Sequence, residues 1–316
     1  MFRNLLLTTD FSEVARSAYR PALDLARGLG ASLRLVHVLE PLPPHYYVSL
    51  EGGGVSLPMA DYAVEVKKRL ESEASHEAFD GAEIPTELVV DAVPVEGVLE
   101  LIRKHDVDLV CTASHGYGAL RRVFLGSFAE KLVRVSPVPV WTFHTKEDGA
   151  ARFPSDSKDI LIPTDFSERS TAVVPIARTL AERFGARLTL MHAIEPELSY
   201  PAFWGETGFS GIPMRHPEEV RREIEKRLER FRNEHFASLE VKTAVRHGVP
   251  DYEVAQLAKE GRFGLVLLST HGWTGWKHLL LGSVAERIVR TAPCSVLTVR
   301  PLKVGDAENA PSSASA

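Results

Sequence analysis

Cysteine is scarce, with only Cys111 and Cys294 in 316 residues. They lie in different halves of the chain and no second thiol stands near either, so the sequence has neither a disulfide framework nor a thiolate ligand set and fits a reducing cytosol. An excess of positive charge is missing too. The 37 Lys and Arg against 42 Asp and Glu leave a net charge of −5, without a basic excess to attract nucleic acid or an anionic lipid surface, so generic binding to either is disfavoured. Long hydrophobic runs are absent: none reaches the ~18 residues of a membrane span, and three leucines before Thr8 are too few for a signal peptide. A cytoplasmic protein without membrane or nucleic-acid partners is expected. Walker and GxGxxG motifs are also lacking, which argues against P-loop hydrolysis and dinucleotide redox chemistry. No triad, nucleophile beside a base, or metal-ligand cluster is visible, so neither catalytic residues nor a metal site are expected.

What is present is a duplication. LLLTTDFSE (5–13) returns as ILIPTDFSE (160–168), pairing Asp10 with Asp165, and LVHVLEP returns as LMHAIEP, pairing His37 with His192; both offsets are 155 (165 − 10, 192 − 37). Further on, Pro94 pairs with Pro250, His115 with His271 and Ser127 with Ser283, each at 156. So long a period is a repeated domain, since solenoid repeats run ~20–50 residues. Domains are expected over 1–146 and 157–302. The segment HTKEDGAARFPSDSK (144–158) reads as a linker and KVGDAENAPSSASA (303–316) as a disordered tail.

Within each copy, short apolar runs alternate with segments of helical spacing. Strands are predicted at 4–9, 32–39, 86–90, 109–113 and 138–143, then at 159–164, 187–194, 240–245, 265–269 and 295–299. Several, LVLLS above all, are apolar at consecutive positions, as strands covered on both faces must be. Ser12 and Ser167 stand where helix N-caps belong, and Gly30 and Gly185 where helices stop. Five βα units in this order make a doubly wound α/β domain. The expected fold is two tandem Rossmann-like domains, each a five-stranded parallel sheet of order 3-2-1-4-5, related by a pseudo-twofold axis.

Ligands of such sheets bind beyond the carboxyl ends of the strands, where the strand order reverses. There the TTD and PTD turns come near the loops ASHG and STHG. In each loop a glycine follows the histidine (Gly116, Gly272), and Gly-Ser (Gly126-Ser127, Gly282-Ser283) then opens a helix. Glycine lets a ligand approach the backbone closely, and a helix N-terminus with a serine hydroxyl favours an anion such as phosphate. The plainer reading is a turn glycine and a serine-capped helix, and the spacing alone does not choose between them.

These segments together resemble the universal stress protein family, whose signature G-x2-G-x9-G-[S/T] sits in a run like HG…LLLGSVAERIVR…APCSVLTVR after a strand ending in PTDFS. The resemblance covers almost the whole chain, once per copy. It implies an adenine nucleotide, ATP or a relative, held at the carboxyl edge, with any Mg²⁺ carried in by its phosphates. Residue by residue, it places Asp10 and Asp165 toward ribose or phosphate, the backbones of Val38 and Ala193 against adenine, and Gly116, Gly126, Ser127, Gly272, Gly282 and Ser283 around the phosphates. Thr8, Pro163, Phe128 and Val284 flank these positions, and His115 and His271 orient the loop or touch phosphate. The signature's first glycine is Ala113 in copy one and Ser269 in copy two, and copy two, with Pro163 and Gly248, stands closer to the pattern. For Asp10 and Asp165 the alternative is a bond to their own turn, and for His37 and His192 it is a satisfied histidine on a buried strand. After each second strand comes a long irregular insert (41–58, 196–217), of a length usual for lids, binding loops and interfaces.

Two readings of function follow. One is a nucleotide-dependent stress-response regulator, with at most slow ATP hydrolysis. The other is a dimerisation scaffold whose nucleotide sites have decayed, its fifth strands pairing within the chain. Two tandem chains could join further as a homodimer. An ATP pyrophosphatase-type enzyme is disfavoured, because TTDFSE and PTDFSE lack the glycine-rich loop it needs.

Overall fold

The computed structural model describes residues 2–41, 48–50, 53–55, 59–114, 126–144, 153–195, 217–270 and 281–301. The first half runs β1 (Asn4–Thr8), α1 (Glu13–Arg16), α2 (Tyr19–Leu29), β2 (Ser32–Leu39), β3 (Val48–Leu50), β4 (Gly53–Val55), α3 (Met59–Glu73), β5 (Thr86–Val90), α4 (Pro94–Lys104), β6 (Leu109–Ala113), α5 (Ser127–Val135) and β7 (Val140–Phe143). The second half runs β8 (Asp159–Pro163), α6 (Val174–Phe184), β9 (Arg187–Ile194), α7 (Pro217–Phe236), β10 (Val241–His247), α8 (Pro250–Glu260), β11 (Leu265–Ser269), α9 (Ser283–Thr291) and β12 (Ser295–Val299). The tail at 303–316 and most of both inserts lie outside the described residues.

Ten strands form one sheet in the order β10-β9-β8-β11-β12-β7-β6-β1-β2-β5. Counting the five strands of each half from one to five gives 3-2-1-4-5 twice. Within this sheet, all pairings inside a half are parallel. The fifth strands β7 and β12 join the halves antiparallel, with Leu297 opposite Trp141.

Alternation explains the layers. Leu5, Leu7, Leu35 and Cys111 face a core shared with α2, α3, α6 and α7, whereas Leu6, Val36 and Val110 face one shared with α4, α5, α8 and α9. Both cores cross the seam. On one face, α2 meets α6, where Gly28 leaves room for the ring of Phe184. On the other, Arg134 pairs with Glu130 (3.0 Å) and Glu286 (3.2 Å), and Arg290 pairs with Glu286 (3.2 Å) and Glu130 (3.3 Å). His144 and Arg300, 156 residues apart, each donate across the seam to the last turn of the opposite helix, at the carbonyls of Val289 and Val135.

Ser12 and Ser167 cap the helical turns after strand one, accepting from the amides of Ala15 and Ser170. Gly30 and Gly185 end α2 and α6 with φ of +69° and +64°. Two expectations are corrected. The first insert is not wholly irregular, since β3 and β4 form a hairpin too short for alternation to show. β10 runs two residues beyond the predicted end, because Arg246 and His247 still pair with Ala193 and Ile194 although they break the apolar pattern.

Candidate functional site

A cavity of about 220 Å³ opens at the carboxyl edge of the first half, between β1, β2, β6 and the start of α5. Thr8, Thr9, Asp10, Val36, His37, Val38, Ala113, Gly126 and Phe128 line it. Strand one neighbours strand four here, so the sheet itself brings together the two stretches that sequence reasoning had picked out. Ala113 is followed by Ser114, whose carbonyl accepts the amide of Gly126 (2.7 Å). The second half repeats this contact, Gly282 donating to the Thr270 carbonyl (2.8 Å). A Cβ on Gly282 would stand 3.3 Å from that carbonyl oxygen, so the glycine allows a close backbone crossing.

This geometry corrects the reading of the Gly-Ser pair twice. The glycines are the N-caps and the serines the first helical residues, and no side chain caps either helix. The serine hydroxyls, on exposed residues, are thus not spent on their own helices. The glycine amides, by contrast, are already tied to the strand-four end and are not the donors an anion would find. The first intrahelical bonds of α5 and α9 run from Glu130 to Gly126 and from Glu286 to Gly282. The helices therefore do not consume the amides of Ser127, Phe128 and Ala129, or of Ser283, Val284 and Ala285, and the positive end of each dipole adds to them. A backbone cradle of this kind fits phosphate.

At the other end of the cavity, Asp10 Oδ1 accepts from the amide and hydroxyl of Ser12 (3.0 and 2.6 Å), and Asp165 Oδ1 from the amide of Ser167 (2.9 Å). The aspartates hold their own turns, and Asp10 lines the cavity as well. His37 Nδ1 donates to the Thr9 carbonyl (2.7 Å) and His192 Nδ1 to the Thr164 carbonyl (2.8 Å). Burial holds both imidazoles below their ordinary range, more than these carbonyls raise them, so both are neutral at pH 7 with the proton on Nδ1. They are satisfied strand histidines that brace the end of strand one. Val38 sits over Gly97 of α4, where a Cβ would come within 2.9 Å of its side chain. In the second half, Pro163, Ala193 and Ser269 occupy the corresponding strand ends, Val284 follows Ser283 into α9, and Gly248, at φ +150°, turns the chain after β10. His115, Gly116, His271 and Gly272 lie outside the described residues. So do the aromatic and basic residues that follow them.

Sequence reasoning missed a buried polar group under this turn. Tyr19 Oη lies 2.6 Å from Thr9 Oγ1 and donates to Glu73 Oε2 (3.0 Å), while Arg16 grips both oxygens of Glu73. Burial alone would raise the Glu73 carboxyl; hydrogen bonds from Arg16 and Tyr19, with the Arg16 charge, outweigh it and leave the group below its usual value. No motif announces this group, because its members come from α1, α2 and α3. Among the described residues, no group of three His, Cys, Asp or Glu is placed to hold a metal ion, and no helix is long and apolar enough to cross a membrane.

The model of the universal stress protein family matches residues 1–144 and again 157–300. A universal stress protein of Mycolicibacterium smegmatis is 27% identical over 316 residues, covering 94% of this chain and 97% of its own length. One from Methanocaldococcus jannaschii is 30% identical over 148 residues, 46% of this chain and 84% of its own. Among solved structures, a universal stress protein from Archaeoglobus fulgidus superposes with a TM-score of 0.63 at 18% identity, covering 95% of this chain and 98% of that one, a likeness of fold. With a family match in each half and a full-length relative of the same name, the chain belongs to the universal stress protein family, as a tandem of two such domains.

Proposed function

We propose that this chain binds ATP or a related adenine nucleotide and acts as a cytoplasmic, nucleotide-dependent regulator rather than a catalyst. The observation that carries the reading is the cavity between Asp10, Val38 and the unspent amides at the start of α5. Adenine would lie along the backbone of Val38, or of Ala193 in the second half. The ribose would face the Asp10 or Asp165 turn. Phosphates would meet the amides and hydroxyl of Ser127 or Ser283, joined by the loop residues His115 and Gly116, or His271 and Gly272, with Mg²⁺ arriving on the nucleotide. Domain limits of 1–146 and 157–302 follow from the duplication.

The test is to purify the protein, denature it and look for released nucleotide by mass spectrometry, then to titrate ATP-Mg while following tryptophan fluorescence and melting temperature. A co-purified adenine nucleotide, or a saturable shift with ATP, supports the proposal. If no nucleotide is released and millimolar ATP moves neither signal, binding is refuted. The scaffold reading, favoured by the antiparallel seam between β7 and β12, then takes its place.

A further inference from the structure

The turn that closes strand one is braced from outside the sheet in both halves. Phe11 and Phe166 sit just after the site aspartates with φ of +64° and +61°, a conformation bulky residues hold only when their surroundings enforce it. Each ring packs on the imidazole that bonds strand one, Phe11 on His37 at 4.3 Å and Phe166 on His192 at 4.5 Å. Each also carries a guanidinium 4.5 Å from its centre, from Arg69 on α3 and Arg227 on α7.

The arginines do not follow the register of the other parts. Phe166 and His192 stand 155 residues after Phe11 and His37, whereas Arg227 stands 158 after Arg69 (227 − 69). The residues one turn further along these helices keep the offset of 158 but have changed their chemistry. Glu73 bonds Arg16 and Tyr19, while Phe231 packs on Phe166 at 6.2 Å. Among the described residues, the guanidinium over phenylalanine is the tie from each helix to this turn that both copies share.

We propose that Arg69 and Arg227 are positioning residues for the two nucleotide sites, each fixing its phenylalanine and thereby the Asp10 or Asp165 turn in the conformation that receives the ligand. This rests on the nucleotide-binding reading above. When the guanidinium is lost the turn samples other conformations, and affinity falls in proportion to the competent fraction. Both arginines are exposed, so replacing them opens no hole in the core. His37 faces Arg69 and Asp10, and His192 faces Arg227, Asp165 and Glu195, so each imidazole also reports on its arginine without nucleotide present.

The experiment uses the full chain with Arg69→Ala, Arg69→Lys, Arg227→Ala and Arg227→Lys. ATP-Mg is titrated while the His37 and His192 imidazole signals are followed separately by NMR, and each is titrated with pH before nucleotide is added. Each alanine variant is expected to raise Kd at its own site about two- to fivefold, the effect of one exposed cation–π contact. It should also move its own histidine's titration to higher pH and leave the other site unchanged. The lysine variants, which keep the charge, should restore most of the histidine titration. Wild-type affinity in both alanine variants would overturn the proposal and leave nucleotide binding standing. So would an equal loss at both sites from either single change. If the unmodified chain takes up no nucleotide, the nucleotide reading and this proposal fall together, a result seen before any variant is made.

Discussion

Adding one methyl group at Gly28 tests how tightly the two halves interlock. A Cβ there would lie 2.1 Å from Cε1 and 2.4 Å from Cζ of Phe184, far inside the ~3.5–4.0 Å at which carbon atoms rest. The ring is 9% exposed and stands edge-on to Phe153, which in turn packs on Trp141 at the seam. It can escape only by moving toward solvent and giving up part of its burial. Overpacking of this kind costs about 1–3 kcal/mol, against about 1 kcal/mol that alanine gains over glycine inside a helix. Gly28→Ala should therefore destabilise the protein by about 1 kcal/mol, where an unobstructed helical glycine would give a gain of similar size. Phe184→Leu makes room at its own cost, so the double variant should be more stable than the sum of the two single effects by about 1–2 kcal/mol. Urea unfolding followed by circular dichroism measures all three. A stabilised Gly28→Ala protein, or strictly additive changes, would refute this account of the interlock.

Acid should weaken the fold from just below neutrality. His37 and His192 have folded-state values below the 6.5 of a free imidazole, so between the two values the unfolded chain binds more protons. Their contribution is full above about pH 6.5 and is lost as the pH falls through the window beneath it; melting temperatures from pH 8 to 5 should show the decline. In a His37→Asn/His192→Asn protein that slope should flatten, and an unchanged slope would clear the histidines of any part. Glu73→Gln, which takes from Arg16 the buried one of its two carboxylate partners, Glu13 remaining, and gives Tyr19 a poorer acceptor, should cost about 2–3 kcal/mol in urea unfolding. A cost below ~0.5 kcal/mol would mean that the group is solvated. Gly282→Val, which puts a branched side chain, its Cβ 3.3 Å from the Thr270 carbonyl oxygen, at the entry to α9, should weaken ATP binding in the second half at least about tenfold by calorimetry, equivalent to ~1.4 kcal/mol. Unchanged affinity would place the site elsewhere.

Strands buried on both faces were the easiest part to read. Leu109–Ala113 and Leu265–Ser269 are apolar at nearly every position, and their predicted limits match the structure, as do those of Ser32–Leu39, whose apolar run is broken by Arg34 and His37. The end of the edge strand β10 is hidden because its last two residues, Arg246 and His247, are polar, and the hairpin in the first insert has strands of only three residues, VSL and GGV, too short to establish a period. At the site, the glycine spacing located the helix start but not the hydrogen bond that ties Gly126 to Ser114. That bond depends on where strand four ends in space. TDFS advertised its aspartate and serine, while the role of its phenylalanine became visible only with a guanidinium from a distant helix over it. Arg69, Glu73 and Tyr19 are separated from strand one by helices or by the insert, and no local pattern marks residues that meet through tertiary packing.

The antiparallel seam has a geometric consequence for any two ligands held at the carboxyl edges of the two halves. Because β7 and β12 run in opposite directions, the carboxyl edges of the two halves open on opposite rims of the sheet. β1 and β8 lie five strands apart, which is ~24 Å at ~4.8 Å per strand, and the length of the strands adds to that separation. Two nucleotides bound at these rims would be separated by more than twice the ~8–10 Å over which salt lets exposed charges interact, so neither would repel the other directly. Any cooperation would have to pass through the seam and the two cores that cross it. With those rigid, the two sites would fill independently and, because the halves differ in sequence, give four distinguishable states: empty, either site filled alone, and both filled.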